Sequence, residues 1–182
     1  MRRLFAALLL AAGTAGADPG LLVGEPAVDC RDGVYSASLR LSVAAPRPVA
    51  LAVLADFDRM AGFMPNLAES RVVERHGNVY RVAQSGRASF GLLSFAVSSE
   101  RRIELTADGR ILARGLSGSA RQMRSELRLS AAGPAETRID YSIEVEPDTW
   151  LPCAVGRRFL RHELTEQFTA MGREMLRRPA AD

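Results

Sequence analysis

The sequence has no lysine, few aromatic residues and no long apolar run. All 24 of its cationic side chains are arginines, against 21 acidic residues, and aromatic residues make up 6% of the chain. The longest apolar stretch, Leu4 to Ala12, is far shorter than the roughly 20 residues that a membrane-spanning helix needs. A polytopic membrane protein is therefore excluded. Dispersed arginines with few aromatic stacking groups also argue against nucleic-acid binding.

The first residues have the pattern of an export signal. Met1-Arg2-Arg3 precedes the apolar stretch, and the small residues Ala15-Gly16-Ala17 follow it, as in a cleavable signal peptide. We expect a signal peptide over residues 1–17, an irregular lead-in rich in Gly, Pro and Asp over 18–33, and one domain over 34–178. The mature protein would be periplasmic or secreted, with 22 arginines against 21 acidic residues. An uncleaved N-terminal anchor is the alternative.

Alternation of apolar and polar residues predicts strands along most of the mature chain. The alternation appears first from Tyr35 to Val43. It is clearest from Met123 to Leu129 and from Ile139 to Val145. Turn signals divide the strands into antiparallel hairpins. These turns are His76-Gly77-Asn78, Ala107-Asp108-Gly109 and Ala132-Gly133-Pro134.

Helical patterns occur after the first strand and again at the end of the chain. Pro48 suits the first turn of a short helix that runs to Leu54, and a second short helix runs from Asp56 to about Gly62. A long amphipathic helix follows the last strand, because its apolar residues recur every three or four positions. They are Leu160, Leu164, Phe168, Met171 and Met175. The order predicts an α+β fold in which an antiparallel sheet is covered by one long helix.

This order, with the residues that fill it, resembles the START-like, helix-grip superfamily, and more narrowly its polyketide cyclase/dehydrase and coenzyme-Q-binding branch. The segments that carry the resemblance are Ala45 to Val49, Val53 to Arg59, Phe63 to Leu67, Ser70 to Arg75, Phe90 to Phe95 and Tyr141 to Pro147. The resemblance implies a curved sheet of about seven strands wrapped around the C-terminal helix, with an apolar cavity between them.

In the wider superfamily such a cavity holds lipids, sterols, quinones or polyketides. Small and flexible residues on the facing surfaces agree with a cavity, although a completely filled core is the alternative. The candidate ligand-binding residues are Phe63, Val82, Phe95, Val97, Leu127, Tyr141, Phe168, Met171 and Met175. Phe63-Met64-Pro65 and Trp150-Leu151-Pro152 are apolar loop segments, and we expect them to be partly exposed as gates or transient membrane-surface contacts.

The resemblance also implies a disulfide between Cys30 and Cys153. In the helix-grip topology the first strand pairs antiparallel with the last, so the chain before one lies near the chain after the other. Export into an oxidising compartment would permit the bond. Two unrelated cysteines are the alternative.

Motifs for catalysis or metal binding are incomplete. His162-Glu163-Leu164-Thr165-Glu166 lacks the second histidine of a zinc-protease helix, and its spacing places Glu163 off the face that His162 and Glu166 share. We expect no metal and no cofactor. Arg101 and Arg102 lie in an apolar strand, where alternation would turn one of them inward to orient a ligand carbonyl or carboxylate. A solvent-exposed strand end is the favoured interpretation of this pair.

Two functions follow from these observations. The first is an exported carrier that holds an apolar small molecule, such as a lipid, a quinone or a polyketide-like compound. The second is a cyclase- or dehydratase-like enzyme that acts on such a molecule. The lack of a complete catalytic motif favours the carrier. A structural or interaction protein with a filled core ranks third.

Overall fold

The computed structural model describes residues 18–90, 93–149 and 151–179. The predicted signal peptide over residues 1–17 lies outside the described residues, as does Trp150 of the second apolar loop. No helix in the described part of the chain is long and apolar enough to cross a membrane.

One antiparallel sheet of nine strands forms most of the protein. The strands are β1 Leu21–Val23, β2 Ala27–Arg31, β3 Val34–Val43, β4 Leu67–His76, β5 Val79–Phe90, β6 Leu93–Leu105, β7 Arg110–Gly118, β8 Ala120–Gly133 and β9 Glu136–Pro147. Their order across the sheet is β1-β3-β9-β8-β7-β6-β5-β4, and β2 pairs with the same edge of β3 as β1. The helices are α1 Arg47–Leu54, a 3-10 helix Phe57–Gly62 and α2 Cys153–Arg177. The expected helix-grip fold is confirmed, with nine strands in place of about seven.

The prediction of an irregular lead-in was wrong, because residues 18–33 contain β1 and β2. Both strands add to the exposed edge of β3, where Leu21 pairs with Val43 and Cys30 pairs with Tyr35. Asp18, just before β1, also forms an ion pair of 2.7 Å with Arg173 of α2. Strands of three and five residues are too short to show a convincing alternation in the sequence. The open edge of β3 determines their conformation.

The core lies between the sheet and α2. Leu39, Leu41 and Val43 of β3 point inward with Ile139 of the adjacent strand β9, and all four are buried. The helix approaches β3 closely because it carries glycine where the two elements meet. A Cβ atom at Gly156 would overlap the Tyr35 ring. The helix therefore packs mainly on the β1, β2 and β3 side of the sheet.

Both ends of α2 are attached to the rest of the fold. At its start, Cys153 forms a disulfide with Cys30 of β2, with a Cα–Cα distance of 5.6 Å. The Tyr35 hydroxyl donates a hydrogen bond of 2.8 Å to the carbonyl of Leu151. At its end, Arg178 forms ion pairs of 2.7 Å with Asp56 and 2.9 Å with Glu174.

Loss of the disulfide should strongly destabilise the protein. The bond closes a sequence separation of 123 residues. For a loop of this order the chain-entropy model gives about 4 to 5 kcal/mol of unfolding free energy. We expect Cys30→Ser, Cys153→Ser and the double variant to lose a similar amount in urea denaturation, because each removes the same link.

Mass spectrometry of protein alkylated without reduction checks the bond itself. Protein exported to the periplasm should contain no alkylated cysteine, and two alkylated cysteines would contradict the disulfide.

Candidate functional site

A cavity of about 280 Å³ lies between the sheet and α2. It lies on the face of the sheet that α2 covers, away from the edge formed by β1 and β2. There β6, β7 and β8 face the helix. Apolar lining residues include Phe57, Ile103, Leu127, Phe168 and Met171. Its volume is near the lower end of the range of small-molecule pockets, about 300 to 1,000 Å³.

The cavity opens to solvent at one end. Val97 of β6 lines the cavity and is half-buried, whereas Ile103, further along the same face of that strand, is buried. The strand thus leads from the mouth of the cavity to its interior.

The sequence-predicted ligand-binding residues divide into two groups. Those that line the cavity are Val97, Leu127, Tyr141, Phe168 and Met171. The structure places the others elsewhere: Val82 and Met175 fill the core, Phe95 is 38% exposed, and Phe63 is half-buried.

Two aromatic residues outside the cavity make ring contacts instead. Phe95 lies near the start of β6 and packs against Phe159 of α2, with 6.0 Å between ring centroids. The Phe63 ring lies 5.8 Å from the Arg178 guanidinium. Membrane contact by the Phe63 loop stays a prediction, for which liposome flotation of wild type and Phe63→Ser is the test.

Arg101 points into the cavity, so the solvent-exposed interpretation of this residue was wrong. It lies well inside β6, which continues on both sides of it, and is therefore not at a strand end. One Nη2 hydrogen bond joins it to Gln84 Oε1 of β5. Its Nε has neither a hydrogen-bond partner nor solvent contact, and no carboxylate of the described residues forms an ion pair with it. Burial lowers the pKa of the guanidinium.

Hydrogen bonds hold the groups around Arg101 in place. The Gln84 amide nitrogen donates to the Ser70 hydroxyl over 2.9 Å, which turns the Gln84 oxygen toward Arg101. The Ser70 hydroxyl in turn donates to the carbonyl of Phe57. Burial raises the pKa of Tyr141, and a hydrogen bond with Ser125 and the nearby positive charge of Arg101 only partly oppose this. Tyr141 is therefore a neutral hydroxyl group beside Arg101 at physiological pH.

Glu163 is a second polar group on the cavity wall. Its side chain is buried, although it belongs to α2 and borders the cavity. Burial raises the pKa of the Glu163 carboxyl. The hydrogen bond from the Asn66 amide opposes this rise in pKa, and the nearby Glu166 carboxylate adds to it. The Asn66 nitrogen donates over 3.0 Å to Glu163 and over 3.3 Å to Glu166.

His162, Glu163 and Glu166 lie closer together than their sequence spacing suggests. Each offers one ligand atom, and these atoms lie within 4.8 Å of one another. The sequence spacing predicts Glu163 on a different face of the helix, but Asn66 hydrogen-bonds both its carboxylate and that of Glu166. The Asn66 amide nitrogen donates to both carboxylates, so each already has a hydrogen-bond partner in the protein.

The family follows from a comparison with known protein families. Residues 43–171 match the model of a family described as polyketide cyclase/dehydrase and lipid transport. The match covers more than two thirds of the chain. The chain belongs to this family. The comparison does not separate out the coenzyme-Q-binding branch, which stays a prediction. A search of curated proteins finds no match.

Solved structures of other proteins have the same helix-grip fold as this polyketide cyclase/dehydrase family chain. The Zhui aromatase/cyclase from Streptomyces sp. R1128 has a TM-score of 0.69 and 18% identity, over 81% of this chain and 97% of that one. A START superfamily protein from Mycobacterium smegmatis has a TM-score of 0.68 and 13% identity, over 78% and 97%. Human STARD10 has a TM-score of 0.60 and 16% identity, over 90% and 76%.

The raised pKa of Glu163 predicts a stability effect with a definite sign. When the folded-state pKa of a carboxyl group exceeds its unfolded value, its ionisation destabilises the folded state as the pH rises through the folded pKa. Glu163→Gln should therefore raise the melting temperature at pH 7. The difference should shrink toward acidic pH, where Glu163 of the wild type is protonated.

Glu136→Gln is the control, since Glu136 is exposed on β9. This substitution should change the melting temperature little. A Glu163→Gln protein less stable than wild type at pH 7 would show that the ionised carboxylate stabilises the fold.

Proposed function

We propose that the protein is an exported carrier that holds an apolar small molecule, of lipid, quinone or polyketide-like type, between the sheet and α2. The observation that carries this proposal is the cavity itself, which has an apolar wall and an open end. Phe168 and Met171 supply the helix side of that wall. Methionine side chains adapt well to irregular apolar ligands. The family description, which includes lipid transport, supports the same function.

Two features support the export part of the proposal. The N-terminal sequence over residues 1–17 has the three regions of a signal peptide. Independently, a disulfide between Cys30 and Cys153 suits an oxidising compartment, since such bonds are rare in the cytosol. We propose that the domain over residues 34–178, together with β1 and β2, forms the mature protein. Intact mass measurement of secreted protein, with the chain expected to begin at Asp18, tests this.

Filling the cavity should abolish ligand binding. Ala113 of β7 lines the cavity, so the Ala113→Phe ring would occupy ligand volume. Ala131→Phe is the matched control, because Ala131 of β8 is exposed. After incubation with a mixed lipid extract, native mass spectrometry should detect bound ligand on wild type and Ala131→Phe, and at least tenfold less on Ala113→Phe, as expected when about 1.4 kcal/mol of binding free energy is lost. Equal ligand on both variants, or none on wild type, would contradict the carrier.

An enzyme of the cyclase or dehydratase type is the second candidate, and Glu163 is the observation that favours it. A carboxyl group with a raised pKa on a cavity wall suits general acid/base catalysis near neutral pH. The enzyme hypothesis predicts dehydration of a β-hydroxy ketone or cyclisation of a polyketone by wild type. Glu163→Gln should lose this rate by 10²-fold or more, on the order expected for a lost acid/base group, and retain ligand binding. Equal rates in the two proteins would exclude this role.

A further inference from the structure

Arg101 brings a positive charge into the cavity without forming an ion pair with any carboxylate of the described residues. Arg101 is the cationic residue and Glu163 the acidic residue among the described lining residues. The ion pairs of the described chain join arginines or histidines to carboxylates, mostly on the outer surface, and Arg101 takes part in none of them. A guanidinium remains charged at any physiological pH. Such an unpaired interior charge is unfavourable unless something else binds it.

The protein itself leaves most of the Arg101 hydrogen-bonding capacity unused. A guanidinium carries several N–H donors in a planar fork, and Gln84 accepts from Nη2 alone. The Nε donor has no partner. Gln84 cannot turn away from this position without losing its own hydrogen bond to Ser70. Arg101 is therefore held in a defined orientation with donors that remain for a ligand.

One of the two strand positions beside Arg101 carries no side chain. Arg101 pairs with Val82 on β5 and with Gly115 on β7. The glycine has no side chain that could cover the guanidinium or pair with it. Tyr141 lies close enough for an electrostatic interaction with Arg101 and supplies a hydroxyl group on the same wall. Among the described residues, Gln84 is thus the acceptor that hydrogen-bonds Arg101, and the remaining guanidinium donors face the cavity.

The charge and shape of this group select one class of ligand. A single arginine balances a single negative charge, whereas a phosphate monoester carries about −1.5 to −2 near pH 7 and would stay partly unbalanced. A carboxylate is planar and monovalent, and it accepts two parallel hydrogen bonds from a guanidinium fork. The remaining wall, with Leu127, Phe168 and Met171, suits a hydrocarbon chain.

We propose that the cavity binds a single-chain carboxylate, with its oxygen atoms on Arg101 and its chain directed toward the mouth at Val97. This inference rests on the proposed carrier function and specifies its ligand. Arg101 is four positions beyond Val97 in β6, and a strand rises about 3.3 Å per residue. The carboxylate therefore lies about 13 Å inside the mouth, away from the exposed surface. A cavity of about 280 Å³ is small for a lipid with two long chains.

Octanoate and 1-octanol, which share a chain and differ in charge, test the inference by isothermal titration calorimetry at pH 7.5. Wild type should bind octanoate more tightly than 1-octanol, on the order of ten- to a hundred-fold, the range for hydrogen bonds to a charged group. Arg101→Gln should lose that preference and keep its affinity for 1-octanol. Arg102→Gln is the matched control, since Arg102 is the exposed neighbour that pairs with Glu104, and it should retain the preference.

The outcomes separate this inference from the carrier function. Equal binding of octanoate and 1-octanol by wild type, or a preference that survives in Arg101→Gln, overturns the carboxylate ligand and leaves the carrier intact. If wild type binds neither compound, the carrier function fails and the inference fails with it.

Thermal unfolding without ligand gives an independent check on the variants. Arg101→Gln and Arg101→Met should unfold at or above the wild-type temperature, because they remove an unpaired charge from the interior. A large loss of stability in both would make Arg101 a structural residue and overturn the proposal.

Discussion

The attachment of α2 to one side of the sheet determines where the cavity forms. Gly156 lets the helix approach Tyr35 of β3, and the disulfide joins the start of the helix to β2. A rigid helix packed this closely on one side of a curved sheet does not reach the strands on the other side equally well. The space that remains faces β6, β7 and β8. The cavity is therefore a consequence of close packing elsewhere.

The far end of α2 is stabilised by charge. Asp56 precedes the 3-10 helix, yet its carboxylate makes no capping hydrogen bond and pairs with Arg59 and Arg178. Burial alone would raise the pKa of Asp56, but these two arginines outweigh it and the pKa is lowered. Such a group stabilises the fold above its unfolded pKa and loses this contribution as the pH falls. Acid thus weakens the C-terminal attachment of α2, while the disulfide attachment does not titrate.

Local patterns were sufficient to predict the main elements but insufficient to predict the depth of each side chain. Alternation correctly turned Leu39 and Ile139 inward, because the period of a strand is a local property. The same alternation cannot tell Val97, on the cavity wall, from Val82, in the filled core, since that difference depends on where the helix lies. The Asn66 and Glu163 contact joins residues 97 positions apart and has no signal in a single sequence. Strands β1 and β2 were missed because their conformation depends on the edge of β3.

The absence of lysine has a consequence that depends on the docking of β1. Cleavage after residue 17 would leave the α-amino group of Asp18 as the sole primary amine of the mature chain. Residue 18 lies beside α2 through its ion pair with Arg173. A single amine-reactive fluorophore would therefore attach at one site, next to the helix that forms a wall of the cavity. After such cleavage the protein would offer its own position for a spectroscopic reporter, since no lysine amine would compete for the reagent.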